Sequence, residues 1–337
     1  MVEEIKLLET EGISEAADLR VNGKGNNQKK RMAVSEKVQG LIFALIPLFG
    51  FCLFTLIPAA IAFAAQFVSM DGYNFDTMQW NNFANFKTVY SDPLYWRSFG
   101  IDLFFVATQF CSLLIAIVTA AFLAQRKKGA KFFTVLFFIP QICSSVAIAL
   151  MWQNMFDVNF GIVNTVLVKL FGEGARVNWT NEVGPFLAVM FIITIWQAPG
   201  YGILMYKAAF TNVNENLYEA ARLDGANRLQ QFFHITLPAI SPTTFFLVIA
   251  GINAGMQTFD LVHVLGGGGS GGWTNEYGPE NAGMTTSLYI YQTGIALYNP
   301  SRGMPVAAVM SYGLFAVMLI VSIINFKFSD KWVSYDQ

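Results

Sequence analysis

Three polar side chains interrupt a long apolar run between residues 244 and 266. Asn253, Gln257 and Asp260 follow one another at spacings of four and three residues, which places them on one face of a helix. Amides and carboxylates hydrogen-bond to hydroxyl groups, so this face suits a polyhydroxylated molecule that crosses an apolar region. The alternative is that these side chains hold neighbouring helices together through inter-helix hydrogen bonds.

Two other apolar runs carry similar polar side chains. Gln197 and Tyr201 are four residues apart and flank Pro199, which predicts a kink in a helix. Gln141 stands directly after Pro140 in a third run. Polar groups are costly in an apolar environment and are therefore candidates for a functional path. The six candidates for the lining of such a path are Asn253, Gln257, Asp260, Gln197, Tyr201 and Gln141.

The composition is that of a membrane protein with few groups for catalysis. Of the 337 residues, 54% are hydrophobic and 13% are charged, which is about half the charged fraction of a soluble domain. The two histidines and three cysteines provide neither a metal site nor a catalytic triad. The net charge of −1 gives no indication of nucleic-acid binding. We therefore expect a chain that is not an enzyme and that binds no metal or cofactor.

Six apolar runs are long enough to cross the hydrocarbon core of a bilayer, which needs about 20 helical residues. The runs span residues 38–68, 99–124, 132–152, 185–207, 244–266 and 303–326. The 37 residues before the first run contain no apolar core of the signal-peptide type, so we expect the first run to remain as a span. The pattern predicts an all-α membrane protein with six transmembrane helices over residues 38–330, between polar tails at 1–37 and 331–337.

Lysine and arginine are distributed unequally among the segments between these runs. With the N-terminus inside, sixteen of the 21 basic residues fall in inside segments. Tight basic clusters at residues 29–31 and 126–128 stand at the ends of runs, where positive charge has the strongest effect on orientation. This distribution predicts a multi-pass protein of the plasma membrane with both termini in the cytoplasm.

The predicted inner segment between the fourth and fifth runs, residues 208–243, has strong local signals. Asn214 is a helix N-cap residue, and Gly225 permits the left-handed conformation that ends a helix. A second short helix is expected to begin near Asn227 and to end at Pro238. These signals predict a helix-turn-helix on the cytoplasmic surface, of the kind that docks into a groove of a soluble partner.

Two strings in this segment carry a family resemblance. Residues 219–226 read Glu-Ala-Ala-Arg-Leu-Asp-Gly-Ala, and residues 235–238 read Ile-Thr-Leu-Pro. Together they resemble the EAA loop of binding-protein-dependent ABC importer permeases. Their form is similar to that of the carbohydrate branch, which includes permeases for maltose, lactose, oligosaccharides and glycerol 3-phosphate. Weaker similarities to the same family follow its order at residues 86–96, 257–265 and 288–292.

The resemblance covers about residues 38–330 and implies the type I transmembrane fold of ABC importers. It also implies that the loop at 208–243 is a coupling loop, which sits in a cleft of an ATPase subunit. The residues implied for this contact are Glu219, Ala220, Ala221, Asp224 and Gly225. The implied partners are a second, related permease in a heterodimer, two ATPase subunits that bind ATP and Mg, and an extracellular solute-binding protein. The implied substrate is a carbohydrate, which crosses the lipid bilayer by alternating access.

An ion-gradient-driven secondary transporter is the alternative function. That class is expected to show paired charges within spans, or inverted repeats with broken helices. The apolar runs contain neither a mid-span pair of opposite charges nor an obvious second copy of any run. The chain also lacks the phosphate-loop string Gly-x-x-x-x-Gly-Lys-Ser/Thr, including in its glycine run at 265–272. If ATP drives transport, we therefore expect a separate chain to hydrolyse it.

Three further features carry expectations of their own. Asp102 lies near the outer end of the second run and is expected at the membrane interface or in a pair. The outer segment at 266–284 is longer than is usual in the family that the chain resembles, which would alter docking of the binding protein or the range of substrates. The tail at 1–37 is expected to be solvated. Its alternative is a short amphipathic helix that uses Val2, Ile5, Leu7 and Leu8.

Overall fold

The computed structural model describes residues 39–71, 74–124, 128–267, 277–296, 303–329 and 331–333, and this part is mostly helical. The helices are α1 (Gln39–Ala65), α2 (Ala84–Tyr90), α3 (Pro93–Ala124), α4 (Ala130–Ile142), α5 (Ser145–Met155), α6 (Ile162–Phe171), α7 (Val183–Gln197), α8 (Pro199–Thr211), α9 (Glu215–Leu223), α10 (Arg228–Gln231), α11 (Leu237–Ala239), α12 (Ser241–Met256), α13 (Asp260–Leu265), α14 (Thr286–Tyr291) and α15 (Met304–Ser329). Three segments are π-helical: Cys52–Leu56, Phe232–Thr236 and Gln292–Ala296.

Five helices or joined helices are long and apolar enough to cross a membrane. They are α1, α3, α7 with α8, α12 with α13, and α15. The bent pair α4 and α5 makes a sixth if the two helices count as one span. The predicted class, an all-α membrane protein, is thereby confirmed for the described part of the chain, and the predicted number of six spans is reached when the bent pair counts as one.

The third apolar run is a broken element and does not form one straight helix. The axes of α4 and α5 differ by 93°, and Cys143 and Ser144 between them have extended backbone conformations. Pro140 lies in the last turn of α4, where it removes one backbone donor from the helix. A side chain on Gly200 of α8 would collide with the carbonyl oxygen of Phe137, so α4 and α8 pack closely just before the break.

A short β-hairpin follows the first span. Strand β1 (Val68–Asp71) pairs antiparallel with β2 (Asn74–Trp80), with Val68 opposite Trp80. The helix before it ends at Ala65, whereas the apolar run extends to residue 68. The buried amide of Asn85 explains this end, since its Nδ2 donates to the carbonyl oxygens of Gln66 at 3.0 Å and Val68 at 2.8 Å.

The chain divides into two compact units, residues 1–62 and 63–337. The second unit contains two buried apolar clusters. One includes Phe105 of α3, Ile193 of α7 and Val262 of α13. The other includes Ala116 of α3 and Ile203 of α8, together with residues that flank the loop between α8 and α12.

Close helix packing in the second unit depends on small residues. A Cβ atom on Gly255 of α12 would lie 2.6 Å from the backbone nitrogen of Val106 in α3. On Gly202 of α8 it would lie 2.8 Å from the Cβ of Ala116. Such positions let helix backbones approach one another in a membrane, where water provides no apolar driving force between helices. They allow both α8 and α12 to pack closely against α3.

Asp102 is fully buried and hydrogen-bonded. Its Oδ1 accepts from the backbone N–H of Thr286 at 3.1 Å, at the start of α14. The hydroxyl groups of Ser98 and Thr286 lie 2.8 Å apart and complete a polar link between α3 and α14. Asp102 was expected at the membrane interface or in a pair. The structure shows it buried and hydrogen-bonded to the N-terminus of α14. The predicted helix at Val2, Ile5, Leu7 and Leu8 lies outside the described residues.

Candidate functional site

The turn that ends α9 is a glycine-dependent helix cap. Gly225 has a φ of +82°, which L-residues with a side chain rarely adopt. Its N–H donates to the carbonyl of Arg222 at 3.1 Å, and the N–H of Ala226 donates to that of Ala221 at 2.9 Å. These two bonds form a Schellman motif, which satisfies carbonyl groups left open at the helix end. At the other end of α9, the Asn214 side chain accepts from the N–H of Asn216 at 3.0 Å.

The helix that follows the turn begins with a capping box. The Asn227 side chain accepts from the backbone N–H of Gln230 at 2.9 Å, and the Gln230 side chain accepts from the N–H of Asn227 at 2.8 Å. Local hydrogen bonds therefore cap α9 at both ends and α10 at its start. The loop between Leu223 and Arg228 is short, and each helix is capped at the end that meets this loop.

The second helix of this segment does not end at Pro238 as predicted. After α10 the backbone continues through the π-helical Phe232–Thr236 into α11, where Pro238 lies in the first turn. The N–H of Leu237 donates to the carbonyl of Phe232, five residues earlier. The π-helical turn shifts the hydrogen-bond register just before the proline, which tolerates an early helical position because it has no N–H to satisfy.

The helix-turn-helix is fixed to the membrane-spanning helices at its base. The hydroxyl groups of Tyr218 and Thr236 lie 2.8 Å apart and connect α9 to the π-helical segment. Tyr218, Ile235 and Leu237 pack against the apolar cluster that contains Ile203 of α8. A movement of this segment would therefore be transmitted to α8 and α3 through packed side chains.

The far side of the helix-turn-helix is exposed. Glu219, Ala220, Asp224 and Gly225 are exposed, whereas Ala221 is half-buried. Within the described part of the chain, no ion pair engages either acid. Leu223, 89% exposed at the turn, adds an apolar group that cannot be explained by packing within this chain. A surface with unpaired acids, small residues and an exposed leucine suits contact with another protein.

Four of the six predicted path residues line one cavity of about 250 Å³. They are Gln141, Gln197, Gln257 and Asp260. Each lies where a helix is interrupted: between α4 and α5, between α7 and α8, or between α12 and α13. Non-helical backbone at membrane depth is tolerated where it lines a cavity or is covered by protein. The structure therefore brings together residues from three separate runs.

The other two predicted residues, Asn253 and Tyr201, do not line this cavity. Asn253 lies in α12, four residues before the helix is interrupted at Gln257. The cavity also contains Gln109 of α3 and Thr194 of α7, neither of which was predicted from the sequence. Gln109 was visible as an isolated amide in the second apolar run, but nothing in its spacing connected it to the others.

The lining of the cavity determines what it can bind. It contains several amide and hydroxyl groups and one carboxylate, that of Asp260, with no lysine or arginine. Amides and hydroxyls both donate and accept hydrogen bonds, which matches hydroxyl-rich molecules. Among the described residues, no group of three or more His, Cys, Asp or Glu side chains could hold a metal ion.

The chain is similar to known transport proteins. The sequence profile of the family described as "Binding-protein-dependent transport system inner membrane component" matches residues 112–333. The probable ABC transporter permease protein YesP of Bacillus subtilis is 30% identical over 94% of this chain and 98% of its own length. The lactose transport system permease protein LacF of Rhizobium radiobacter is 29% identical over 74% of this chain and 80% of its own.

The fold is also similar to that of a solved structure. A chain of a bacterial ABC transporter involved in the import of the acidic polysaccharide alginate has a TM-score of 0.67 and 23% sequence identity, and the match covers 90% of this chain and 100% of that chain. None of these relatives supports the alternative of an ion-gradient-driven transporter. By its family match and its relationship to YesP, the chain belongs to the binding-protein-dependent transport system inner membrane components, as a permease subunit of an ABC importer.

Proposed function

We propose that this permease forms half of the translocation path for a neutral carbohydrate. The observation that carries the proposal is the polar cavity at the meeting point of three interrupted helices. Its amides and hydroxyls suit a sugar, because both kinds of group donate and accept hydrogen bonds. Named relatives transport related compounds, including lactose for LacF and arabinooligosaccharides for AraP of Bacillus subtilis.

The charge of the cavity favours neutral sugars over anionic ones. Asp260 is the one charged side chain in the lining, and no basic residue is present there to neutralise a phosphate or carboxylate group. A negative substrate would meet a like charge there, and the repulsion is unfavourable. We therefore place sn-glycerol 3-phosphate, the substrate named for the relative UgpA of Yersinia pestis, below neutral saccharides for this chain.

The driving force is proposed to come from ATP hydrolysed on separate ATPase subunits. The exposed helix-turn-helix at α9 and α10 would dock into a cleft of an ATPase, with Glu219, Ala220, Ala221, Asp224 and Gly225 at the contact. Since this segment packs on the cluster beneath α8, and α8 begins at the cavity, closure of the ATPase pair would reach the cavity through one helix. The chain itself would bind no nucleotide, metal or other cofactor.

The proposed assembly places this chain beside a second, related permease, with two ATPase copies and an extracellular solute-binding protein. The proposed orientation has both termini and the helix-turn-helix in the cytoplasm, and the distribution of lysine and arginine supports it. In this orientation the ATPase subunits would bind on the cytoplasmic side of the chain and the binding protein on the extracellular side.

Uptake into proteoliposomes tests the proposal. The complete complex would be reconstituted, and uptake of radiolabelled lactose, arabinotriose and sn-glycerol 3-phosphate would be measured with ATP, with a non-hydrolysable ATP analogue, and with a sodium or proton gradient alone. We expect ATP-dependent uptake of a neutral saccharide and little or none of the phosphate ester. Uptake that an ion gradient supports without ATP would contradict the proposal.

A further inference from the structure

A second, larger cavity lies at the other end of the helix pair α5 and α13. Its volume is about 810 Å³, within the range of pockets that hold small molecules. Its described lining comes from two parts of the chain that are far apart in the sequence, one within residues 153–181 and the other at residues 265–267 and 278–279. The polar side chains in the lining are Gln153, Asp157, Asn159, Asn178, Thr180 and Asn181.

The two cavities lie in series along the same helices. On α5, Ser145 borders the first cavity and Gln153 borders the second, eight residues or about 12 Å further along the helix axis. On α13, Leu261 borders the first cavity and Leu265 the second. Because α5 and α13 pack against each other, the second cavity lies beyond the first on the side opposite the helix-turn-helix. In the orientation proposed above, that is the extracellular side.

One wall of the second cavity is held rigidly by Asn164, which is 1% exposed. Its Nδ2 donates to the carbonyls of Val158 at 3.2 Å and Val177 at 2.9 Å. Its Oδ1 accepts from the backbone N–H of Val177 at 3.2 Å and from the indole N–H of Trp179 at 3.0 Å. This buried amide therefore fixes, relative to one another, the two loop segments that carry the polar lining.

The other wall is pinned through two glycines. The N–H of Gly278 donates to the carbonyl of Gly266 at 3.0 Å, and a Cβ atom on Gly266 would lie 2.8 Å from the carbonyl oxygen of Val262. Gly278 has a φ of +71° and stands against the ring of Phe186. The backbone of this wall is therefore held by close packing against Val262 and Phe186.

The polar groups of the cavity include an acceptor that the protein does not use. The side-chain oxygen of Asn178 is buried and has no hydrogen-bond partner within the described part of the chain. A buried acceptor of this kind is unfavourable unless something donates to it, and a sugar hydroxyl is a suitable donor. As in the first cavity, no lysine or arginine is present in the lining.

We propose that this second cavity is an outer subsite that binds a neutral saccharide unit before it enters the inner cavity. The inference rests on the proposed function, because it assigns the same class of substrate to both cavities. It adds that the permease itself, without the binding protein, has affinity for the sugar on its outer side.

Protection of single cysteines from a membrane-impermeant maleimide tests this proposal. The background would be the complete membrane complex with Cys52, Cys111 and Cys143 replaced by alanine, reconstituted without the binding protein. Gln153→Cys reports on the cavity. Asn154→Cys is the matched control, since this neighbouring amide is exposed on the same helix and does not line the cavity. The probes are lactose and arabinotriose at millimolar concentration, with sorbitol at equal osmolality as the solute control.

We expect the transported saccharide to slow labelling of Gln153→Cys by about 3-fold or more and to leave labelling of Asn154→Cys unchanged. Adding Asn178→Leu should raise the saccharide concentration needed for half-maximal protection about 2- to 10-fold, as expected for the loss of one hydrogen bond. Equal labelling with and without sugar, in a complex that still imports that sugar, would overturn the outer subsite and leave the proposed function intact. In a second arm the sugar-free binding protein is added to the same vesicles; protection by that protein and not by sugar would also overturn the outer subsite, since the cavity would then be a protein contact.

Discussion

The conformation of Gly225 allows the coupling role of the helix-turn-helix to be tested by backbone strain alone. With φ at +82°, any L-residue at this position must adopt a left-handed conformation that costs roughly 1–2 kcal/mol for alanine. A Cβ atom there would meet nothing within 4 Å, so no steric clash within this chain adds to that cost. Asparagine tolerates the left-handed region and should cost less, whereas valine is a severe outlier there.

These strain costs predict an order of transport activity among the Gly225 variants that differs from the order of their side-chain sizes. A strain of about 1–2 kcal/mol reduces the population of the native turn about 5- to 30-fold relative to glycine in a marginal element. Uptake per ATP hydrolysed should therefore fall in the order glycine, asparagine, alanine, valine. We expect Gly225→Val to abolish uptake while membrane insertion of the chain remains intact.

The assay is sugar uptake and ATP hydrolysis measured in the same proteoliposomes, with the amount of inserted chain quantified for each variant. Gly174→Val is the matched control, because this glycine also has open space around its Cβ position but does not have a left-handed backbone. If Gly225→Asn were more damaging than Gly225→Ala, side-chain size at a partner contact would be the cause and the explanation by strain would be refuted. Normal uptake by Gly225→Val would refute it as well.

Three further predictions concern the cavity, the second helix of the coupling segment and the buried carboxyl. Gln197→Leu should lower uptake at sub-saturating sugar about 2- to 10-fold, while Tyr201→Phe, outside the cavity, should not; equal effects would contradict the assignment. Asn227→Ala should destabilise the start of α10 by about 0.5–2 kcal/mol, visible as faster amide hydrogen exchange there; unchanged exchange would count against the capping box. Asp102→Ala should leave the buried N–H of Thr286 unpaired at a cost of about 1–3 kcal/mol and lower the thermal unfolding midpoint in detergent. Asp102→Asn, which keeps an acceptor, should lower the midpoint less, and an equal loss would show that the hydrogen bond is not the cause.

The features of the coupling segment that depend on local sequence were predictable. Asn214 as an N-cap and Gly225 as a left-handed turn residue follow from hydrogen bonds within a few residues, and the structure contains both. The continuation through Pro238 was not predictable. It depends on a π-helical turn at Phe232–Thr236, which packs on the spanning helices and has no local sequence signal.

The polar character of the inner cavity could be predicted from the sequence, but only some of its lining residues could. Asn253, Gln257 and Asp260 share one face only if the helix that carries them is continuous. In the structure α12 ends at Met256 and a new helix begins at Asp260, so the helical register is lost between the first residue and the last. Gln257 and Asp260 then border the cavity, and Asn253 does not.

The sequence predicted neither the bend of 93° between α4 and α5 nor the outer cavity, and the physical reason is the same for both. The angle of the bend depends on how α8 packs against α4 near Gly200, and the local sequence around Pro140 does not determine that packing. The outer cavity likewise requires Asn164 to hold two loop segments together. Both features are decided by contacts between residues that are distant in the sequence.

Docking of residues 215–231 on an ATPase subunit is the central requirement of the proposed mechanism. Affinity purification of the tagged chain in mild detergent, with identification of the co-purifying chains by mass spectrometry, measures this. The wild-type chain should recover a second permease and an ATPase with a phosphate-loop motif, and Glu219→Ala and Gly225→Val should recover less of the ATPase and as much of the second permease. Recovery of the chain alone, or of an ATPase whose amount does not change with these variants, would contradict the mechanism.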